Sequence, residues 1–219
     1  GRASFLLESV EGAERWARFS FVGRNPSAML VLRDGVVELD GALPDGIPTD
    51  QGMLAALEAL LAQYTSPKFD DLPPLHGGIM GFLGYDVIRE VEHLPDTPPD
   101  DRSYPDAVMS VIGSLAAFDH WRQRVYLIES VPTLGLDPGQ LDAAYDAAIG
   151  RVQQAVADLA QPLPYTPVEP PSAADELPEL HSSMPNGMYQ RAVDVAKDHV
   201  VAGDIFQVVL AQRFSRPFD

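Results

Sequence analysis

Short apolar stretches separated by turn-forming residues run through the first part of the chain, which is the pattern of strands joined by tight turns. The stretches 28–32 and 36–39 flank Asp34 and Gly35, two residues that tolerate the positive φ of a hairpin turn. The sequence therefore predicts a hairpin within a region that is strand-like from 19 to 39. Further strands are predicted at 77–85, 107–118 and 124–130, of which the last two form a second hairpin.

Apolar residues recur at helical spacing in three other segments. The first helix follows Thr49 or Asp50, either of which can cap it, and the second follows Asp137, which forms a capping box with Gln140. The third helix ends at Gly203, whose missing side chain suits a left-handed cap. The apolar positions are Met53, Leu54, Leu57, Leu60, Leu61 and Tyr64 in the first helix, Leu141, Tyr145, Ala148, Ile149, Val152, Val156 and Leu159 in the second, and Ala192, Val193, Ala196, Val200 and Val201 in the third.

Hairpin patterns outnumber strand–helix–strand alternation, so we predict an α+β fold of mostly antiparallel β-sheets with flanking helices. Prolines recur between positions 162 and 178, and they prevent regular structure because proline lacks the backbone donor. We therefore predict an N-terminal lobe at 1–160, a proline-rich linker at 161–181 and the truncated start of a second domain at 182–219.

Composition narrows the possible functions. The net charge of -17 argues against binding to nucleic acid or to an anionic membrane surface, because like charges repel. The sequence has no cysteine, which excludes disulfides, thiolate metal sites and a cysteine nucleophile. No apolar run approaches the roughly 18 residues of a membrane helix, and no signal peptide is evident. We expect a cytoplasmic protein.

Three local patterns suggest other chemistry, and each has a plainer interpretation. The glycines of 77–84 are spaced somewhat like a nucleotide loop, but no lysine–serine pair follows, so a strand that another backbone approaches closely is favoured. His120 follows Asp119 with no serine placed to complete a triad, and we interpret it as a polar hairpin residue. The acids at 96–106 lack the pattern of a calcium loop, and no histidine pair has helical spacing, so no metal site is predicted.

The segment 204–214 is apolar on both faces apart from Gln207, which is typical of a buried central strand. Such a strand needs partners on both sides, and its partners must come from elsewhere. We therefore expect this chain to be a piece of a larger enzyme.

Four places, in order between residues 3 and 214, carry a resemblance to a known family, namely the opening at 6–23, the glycine-rich segment at 77–86, the hairpin at 118–128 and the strand-like segment at 202–214. Residues 6–9 read LLES, and residues 15–23 read RWARFSFVG. Residues 77–86 read GGIMGFLGYD, and FDH at 118–120 precedes a basic turn and VYLI at 125–128. Together these motifs resemble the first half of the anthranilate synthase large component, a chorismate-utilising enzyme.

The resemblance implies a function for the parent protein. It implies conversion of chorismate and ammonia to anthranilate and pyruvate, with the ammonia delivered by a glutamine amidotransferase subunit and with feedback inhibition by tryptophan. It also implies a magnesium ion held by glutamates outside this chain. We therefore expect the chain alone to be inactive, and we assign no catalytic residue to it.

The same resemblance implies an effector site. In the family, the serine of the opening motif contacts bound tryptophan, and the segment about seven residues further on lines the same pocket. A hydroxyl and an acid can hold an α-ammonium, and aromatic walls can take an indole. An isolated Glu-Ser would otherwise indicate a surface turn. The predicted tryptophan-binding residues are Leu7, Glu8, Ser9, Trp16, Arg18 and Phe19.

Gln207 bears on the reaction type. In isochorismate and salicylate synthases, which look similar here, the matching residue is a lysine that activates water. A glutamine amide cannot act as a base, so Gln207 favours ammonia as the nucleophile and is predicted to lie near the active site. Aminodeoxychorismate synthase remains an alternative. From another class, the chain is alternatively a stand-alone amino-acid-binding regulatory or interaction module.

Overall fold

A computed structural model describes residues 4–8, 18–95, 99–162, 166, 169–170, 172 and 179–216. The chain forms two compact units, residues 1–162 and 163–219. The first unit contains eight described strands, namely β1 (Phe5–Leu7), β2 (Phe19–Arg24), β3 (Ala28–Arg33), β4 (Val36–Gly41), β5 (Ile79–Leu83), β6 (Ala107–Val111), β7 (Ser114–Asp119) and β8 (Arg124–Glu129). Its described helices are α1 (Gly52–Gln63), a 3-10 helix (Tyr85–Glu90) and α2 (Pro138–Leu159).

The strands of the first unit form two four-stranded antiparallel sheets. The first sheet has the order β1-β2-β7-β8 and the second has the order β4-β3-β6-β5. The predicted hairpin is confirmed: β3 pairs with β4, and Asp34 and Gly35 have φ values of 49° and 77° in the turn between them. The predicted α+β class with mostly antiparallel sheets is likewise confirmed.

The chain passes from one sheet to the other at two places, residues 25–27 and the dipeptide Ile112-Gly113. At Gly113, a Cβ atom would lie 2.2 Å from the carbonyl oxygen of Asn25, so the two crossings touch and leave no room for a side chain. The prediction of one strand over 107–118 is therefore wrong. The two halves of that apolar run are β6 and β7, which pair in different sheets.

Helix α1 covers the second sheet. The hydrophobic core that they share contains Leu30, Met53 and Leu60, all fully buried. The predicted caps Thr49 and Asp50 are wrong, because the N-cap residue is Gln51 and it makes no side-chain hydrogen bond. The carboxylate of Glu90, at the end of the 3-10 helix, accepts the backbone N–H groups of Met53 and Leu54 at 2.7 and 2.9 Å. The cap of α1 is therefore tertiary.

Helix α2 begins as predicted. The backbone N–H of Gln140 donates to the Asp137 carboxylate at 2.8 Å, and the Asp137 N–H donates to the Gln140 side chain at 2.9 Å, so the capping box is confirmed. The helix lies against β8 of the first sheet. Among the described residues, no helix has the length and apolar character needed to cross a bilayer.

The second unit contains β9 (His181–Ser182), α3 (Met188–Ala202) and β10 (Phe214–Ser215). Helix α3 ends at Gly203 with φ 82°, as predicted. The strand predicted over 204–214 is wrong for all but its last residue. In the described part of this unit, the only strand pairing is that of β9 with β10, so residues 205–213 lack a ladder. Phe206 and Val209 are 94% and 82% exposed.

Candidate functional site

The first sheet has two faces, and the strand register decides which predicted residues share one. Leu7 lies opposite Phe21, and Phe19 lies two residues from Phe21 along β2, so alternation puts all three side chains on one face. The rings of Phe19 and Phe21 stack with centroids 5.9 Å apart. We call this the inner face. The structure thus brings Leu7 and Phe19 together on one side of the sheet.

A cavity of about 340 Å³ lies between the inner face and the second sheet. Leu7 contributes to its wall from β1, and it is 39% exposed. On the other side, the wall is formed by Met80 and Phe82 of β5 and by Val108 of β6. The cavity is therefore apolar and joins the predicted opening segment to the glycine-rich strand.

Gly81 of β5 and Gly84, which directly follows that strand, have the structural role that the sequence suggests. A Cβ atom at Gly81 would lie 1.9 Å from the carbonyl oxygen of Val108, and one at Gly84 would lie 2.7 Å from that of Asp106. These positions are glycine because the backbone of the neighbouring chain segment approaches closely. The segment forms a strand that helps to enclose the cavity.

The guanidinium group of Arg18 is bound within the protein. Its Nε and Nη2 atoms donate to the two carboxylate oxygens of Asp119 at 3.0 and 2.6 Å. The same group lies over the rings of Phe19 and Trp121, 4.7 and 5.2 Å from their centroids. Arg18 therefore joins the start of β2 to the hairpin between β7 and β8, and its charge is already compensated.

Asp119 is a buried acid that sequence reasoning did not place in the site. Its hydrogen bond from Arg18 lowers its pKa to about 2, with help from the backbone N–H groups of Arg122 and Trp121, while burial acts in the opposite direction. The 101-residue separation from Arg18 hides this pair from any local pattern. The two residues come together because β2 pairs with β7 in a register that puts Phe19, the neighbour of Arg18, opposite Asp119.

A second contact that the sequence did not predict joins Ser20 and His120. The hydroxyl oxygen of Ser20 lies 2.7 Å from Nε2 of His120. Both Asp119 carboxylate oxygens are occupied by Arg18, so the neighbouring acid does not orient this imidazole as a triad would require. His120 is an exposed residue of the turn after β7, and its contact with Ser20 joins two parts of the first sheet.

The other predicted residues have different positions. Glu8 is exposed directly after β1, while Ser9 and Trp16 lie outside the described residues. Gln207 is exposed in the second unit, without the strand that was predicted around it. In the described ranges, no group of three or more His, Cys, Asp or Glu side chains is arranged to hold a metal ion.

Comparison with known proteins establishes the family. A family profile described as chorismate binding enzyme matches residues 4–219, nearly the whole chain. The chain belongs to the chorismate-binding enzyme family. The solved structure of anthranilate synthase component I from Streptococcus pneumoniae superposes with a TM-score of 0.66 and 27% identity, and the match covers 98% of this chain and 44% of that one.

Curated relatives agree with this assignment. Anthranilate synthase component 1 of Mycobacterium tuberculosis is 35% identical over 224 residues, covering 99% of this chain and 42% of the relative. The protein of the same name from Thermus thermophilus is 36% identical over 214 residues, covering 98% of this chain and 42% of the relative. This chain thus spans about two-fifths of the length of these relatives.

Proposed function

We propose that this chain is the N-terminal part of an anthranilate synthase component I, and that the longer protein converts chorismate and ammonia to anthranilate and pyruvate. The observation that carries the proposal is the family match over residues 4–219, together with relatives of that name at 35% and 36% identity. Gln207 supports ammonia as the nucleophile, because its amide cannot deprotonate water.

The chain alone does not perform this reaction. Its net charge of -17 repels a dianionic substrate such as chorismate, so we assign chorismate binding to the rest of the protein. The described residues do not form a magnesium site, and the proposed magnesium ligands belong to the same missing part. A glutamine amidotransferase subunit is the proposed source of ammonia.

The role assigned to this chain is tryptophan feedback. The proposed site comprises Leu7, Glu8, Ser9, Trp16, Arg18 and Phe19. Its support is the apolar cavity beside Leu7 and the aromatic inner face that carries Phe19. Arg18 and Phe19 do not line that cavity, and the proposed contribution of Arg18 is to hold the ring of Phe19, over which Asp119 fixes its guanidinium. An indole fits such apolar surroundings, and the polar head of the amino acid would meet Glu8 and Ser9.

The test compares this chain with a longer protein that adds the downstream residues. Both are incubated with chorismate, ammonium and magnesium, and anthranilate fluorescence and pyruvate release are measured. We expect both products from the longer protein and neither from the chain alone. An aminated product without pyruvate would identify an aminodeoxychorismate synthase instead. Anthranilate formed by the chain alone would overturn the assignment of catalysis to the missing part.

A titration with tryptophan tests the regulatory role separately. Inhibition of the longer protein by micromolar to millimolar tryptophan is expected, and inhibition should be relieved by substitutions at Ser9 or Leu7. Tight binding by the chain alone, combined with an inactive longer protein, would favour the stand-alone amino-acid-binding module.

A further inference from the structure

A cleft lies between helix α2 and the first sheet. It is on the outer face of the sheet, which is the face opposite Phe21. One end of the cleft is a cavity of about 240 Å³ and the other end is a cavity of about 280 Å³. Ser114 and Glu129 line both cavities, so the two adjoin. We call the pair the α2 cleft. It lies on the other side of the sheet from Leu7 and Phe19.

The larger end of the α2 cleft contains several polar side chains. The hydroxyl of Ser27 is buried there and has no hydrogen-bond partner among the described residues. Ser114 is 8% exposed, and the side chain of Glu129 is 9% exposed. The Glu129 carboxylate pairs with Nε of Arg151 on α2 at 2.7 Å. A buried hydroxyl without a partner is costly, so this end is suited to a polar guest.

The smaller end of the α2 cleft is mainly apolar, although Arg24 and Asp158, which lie 3.9 Å apart, also line it. Its floor includes Val22 and Phe118 of the sheet, and its roof includes Val152, Ala155 and Leu159 of α2. Water alone would satisfy Ser27 but would gain little from this apolar end. Binding sites for small molecules typically combine an apolar slot with a few convergent polar groups, which is the arrangement here.

We propose that the α2 cleft binds a small α-amino acid with an apolar side chain. Its ammonium group would lie against the Glu129 carboxylate and the serine hydroxyls, and its carboxylate against the Arg151 guanidinium. The guest thus replaces the Glu129–Arg151 pair with two charge-assisted contacts of its own. Its side chain fills the apolar end beneath Ala155. The cleft opens on the face of the sheet opposite Leu7 and Phe19, and Ser114 at the start of β7 lines both the cleft and the cavity beside Leu7.

The test measures calorimetric binding of L-phenylalanine to the whole chain. We expect saturable binding, and weaker binding of phenethylamine and of 3-phenylpropionate, which each lack one charged group. Glu129→Gln removes a charge without changing size and should weaken binding about tenfold or more. Ala155→Phe fills the apolar end and should abolish binding. Gln153→Phe, which adds the same ring at an exposed position of α2 outside the cleft, is the matched control and should bind as the wild type does.

Three results would overturn the proposal. These are the absence of saturable L-phenylalanine binding to the wild type, equal binding by Glu129→Gln, and equal loss in Ala155→Phe and Gln153→Phe. Thermal unfolding of each variant is measured first. If Ala155→Phe does not fold, the two truncated ligands decide, because they leave the protein unchanged, and Glu129→Gln counts only if its thermal unfolding matches that of the wild type.

Discussion

The tertiary cap of α1 leads to a sharp prediction about stability. Glu90 accepts two backbone N–H groups at the N-terminus of α1, whose first turn contains no acidic residue of its own. Glu90→Ala would leave those donors without the carboxylate and remove a negative charge that complements the helix dipole there. Loss of a cap costs about 0.5–2 kcal/mol, and loss of the dipole interaction about 0.3–1 kcal/mol. We expect a total decrease of about 1–3 kcal/mol in the free energy of unfolding.

The assay is urea and thermal unfolding followed by circular dichroism. For a protein of this size, each kcal/mol lowers Tm by about 2–4 °C. Glu92→Ala is the matched control, because Glu92 is a neighbouring exposed acid, and the N–H groups of Met53 and Leu54 donate to Glu90 instead. The free energy of unfolding of Glu92→Ala should differ from that of the wild type by no more than about 0.5 kcal/mol. Equal destabilisation by Glu90→Ala and Glu92→Ala would refute the tertiary cap.

A double-mutant cycle with Gly52 tests the geometry itself. Gly52 has φ +86°, and a Cβ atom there would lie 2.5 Å from the Glu90 carboxyl carbon. Gly52→Ala should therefore destabilise both through the left-handed backbone and by displacing Glu90. Once Glu90 is already alanine, only the backbone cost remains. The two substitutions should cost less together than the sum of their separate costs, by about 0.5 kcal/mol or more. Strict additivity would contradict the contact.

Three other outcomes are expected. Asp119 has a folded pKa of about 2, which is below its unfolded value. Its contribution to the free energy of unfolding is therefore complete above about pH 4 and is lost as the pH falls towards 2. In Asp119→Asn, this part of the pH dependence of unfolding should be absent. Gly81→Val should destabilise the chain far more than Gly150→Val in urea unfolding, since only Gly81 meets a neighbouring backbone. In the longer protein, Ser9→Ala should remove a hydrogen bond of about 0.5–1.5 kcal/mol, so that half-inhibition requires several-fold to tenfold more tryptophan while uninhibited turnover is unchanged; identical inhibition curves would argue against Ser9 as an effector ligand.

The second unit shows where reasoning from pattern reaches its limit. The apolar run at 204–214 matches a buried strand in composition, yet residues 205–213 have no strand partner among the described residues. A strand exists only as part of a ladder, and the residues that pair with it are not encoded in the strand itself. The same limit applies to Gln207, whose predicted place near an active site depends on such partners.

Local signals were sufficient for several elements of this protein. The hairpin at Asp34 and Gly35 and the capping box of Asp137 and Gln140 formed as predicted, because each depends on residues within three positions of one another. Periodicity likewise sufficed for α2, and the left-handed cap of α3 followed from one glycine. At these places the local backbone preferences agree with the final fold.

Only the tertiary structure decided the rest of the fold and the candidate site. Register alone put Leu7 and Phe19 on one face, and chain crossing at Gly113 divided one apolar run between two sheets. The Arg18–Asp119 pair joins residues 101 positions apart, and the α1 cap at Glu90 joins residues 37 apart. A local sequence pattern has no information about such distant contacts, because their geometry is set by how the sheets pack and which strands pair.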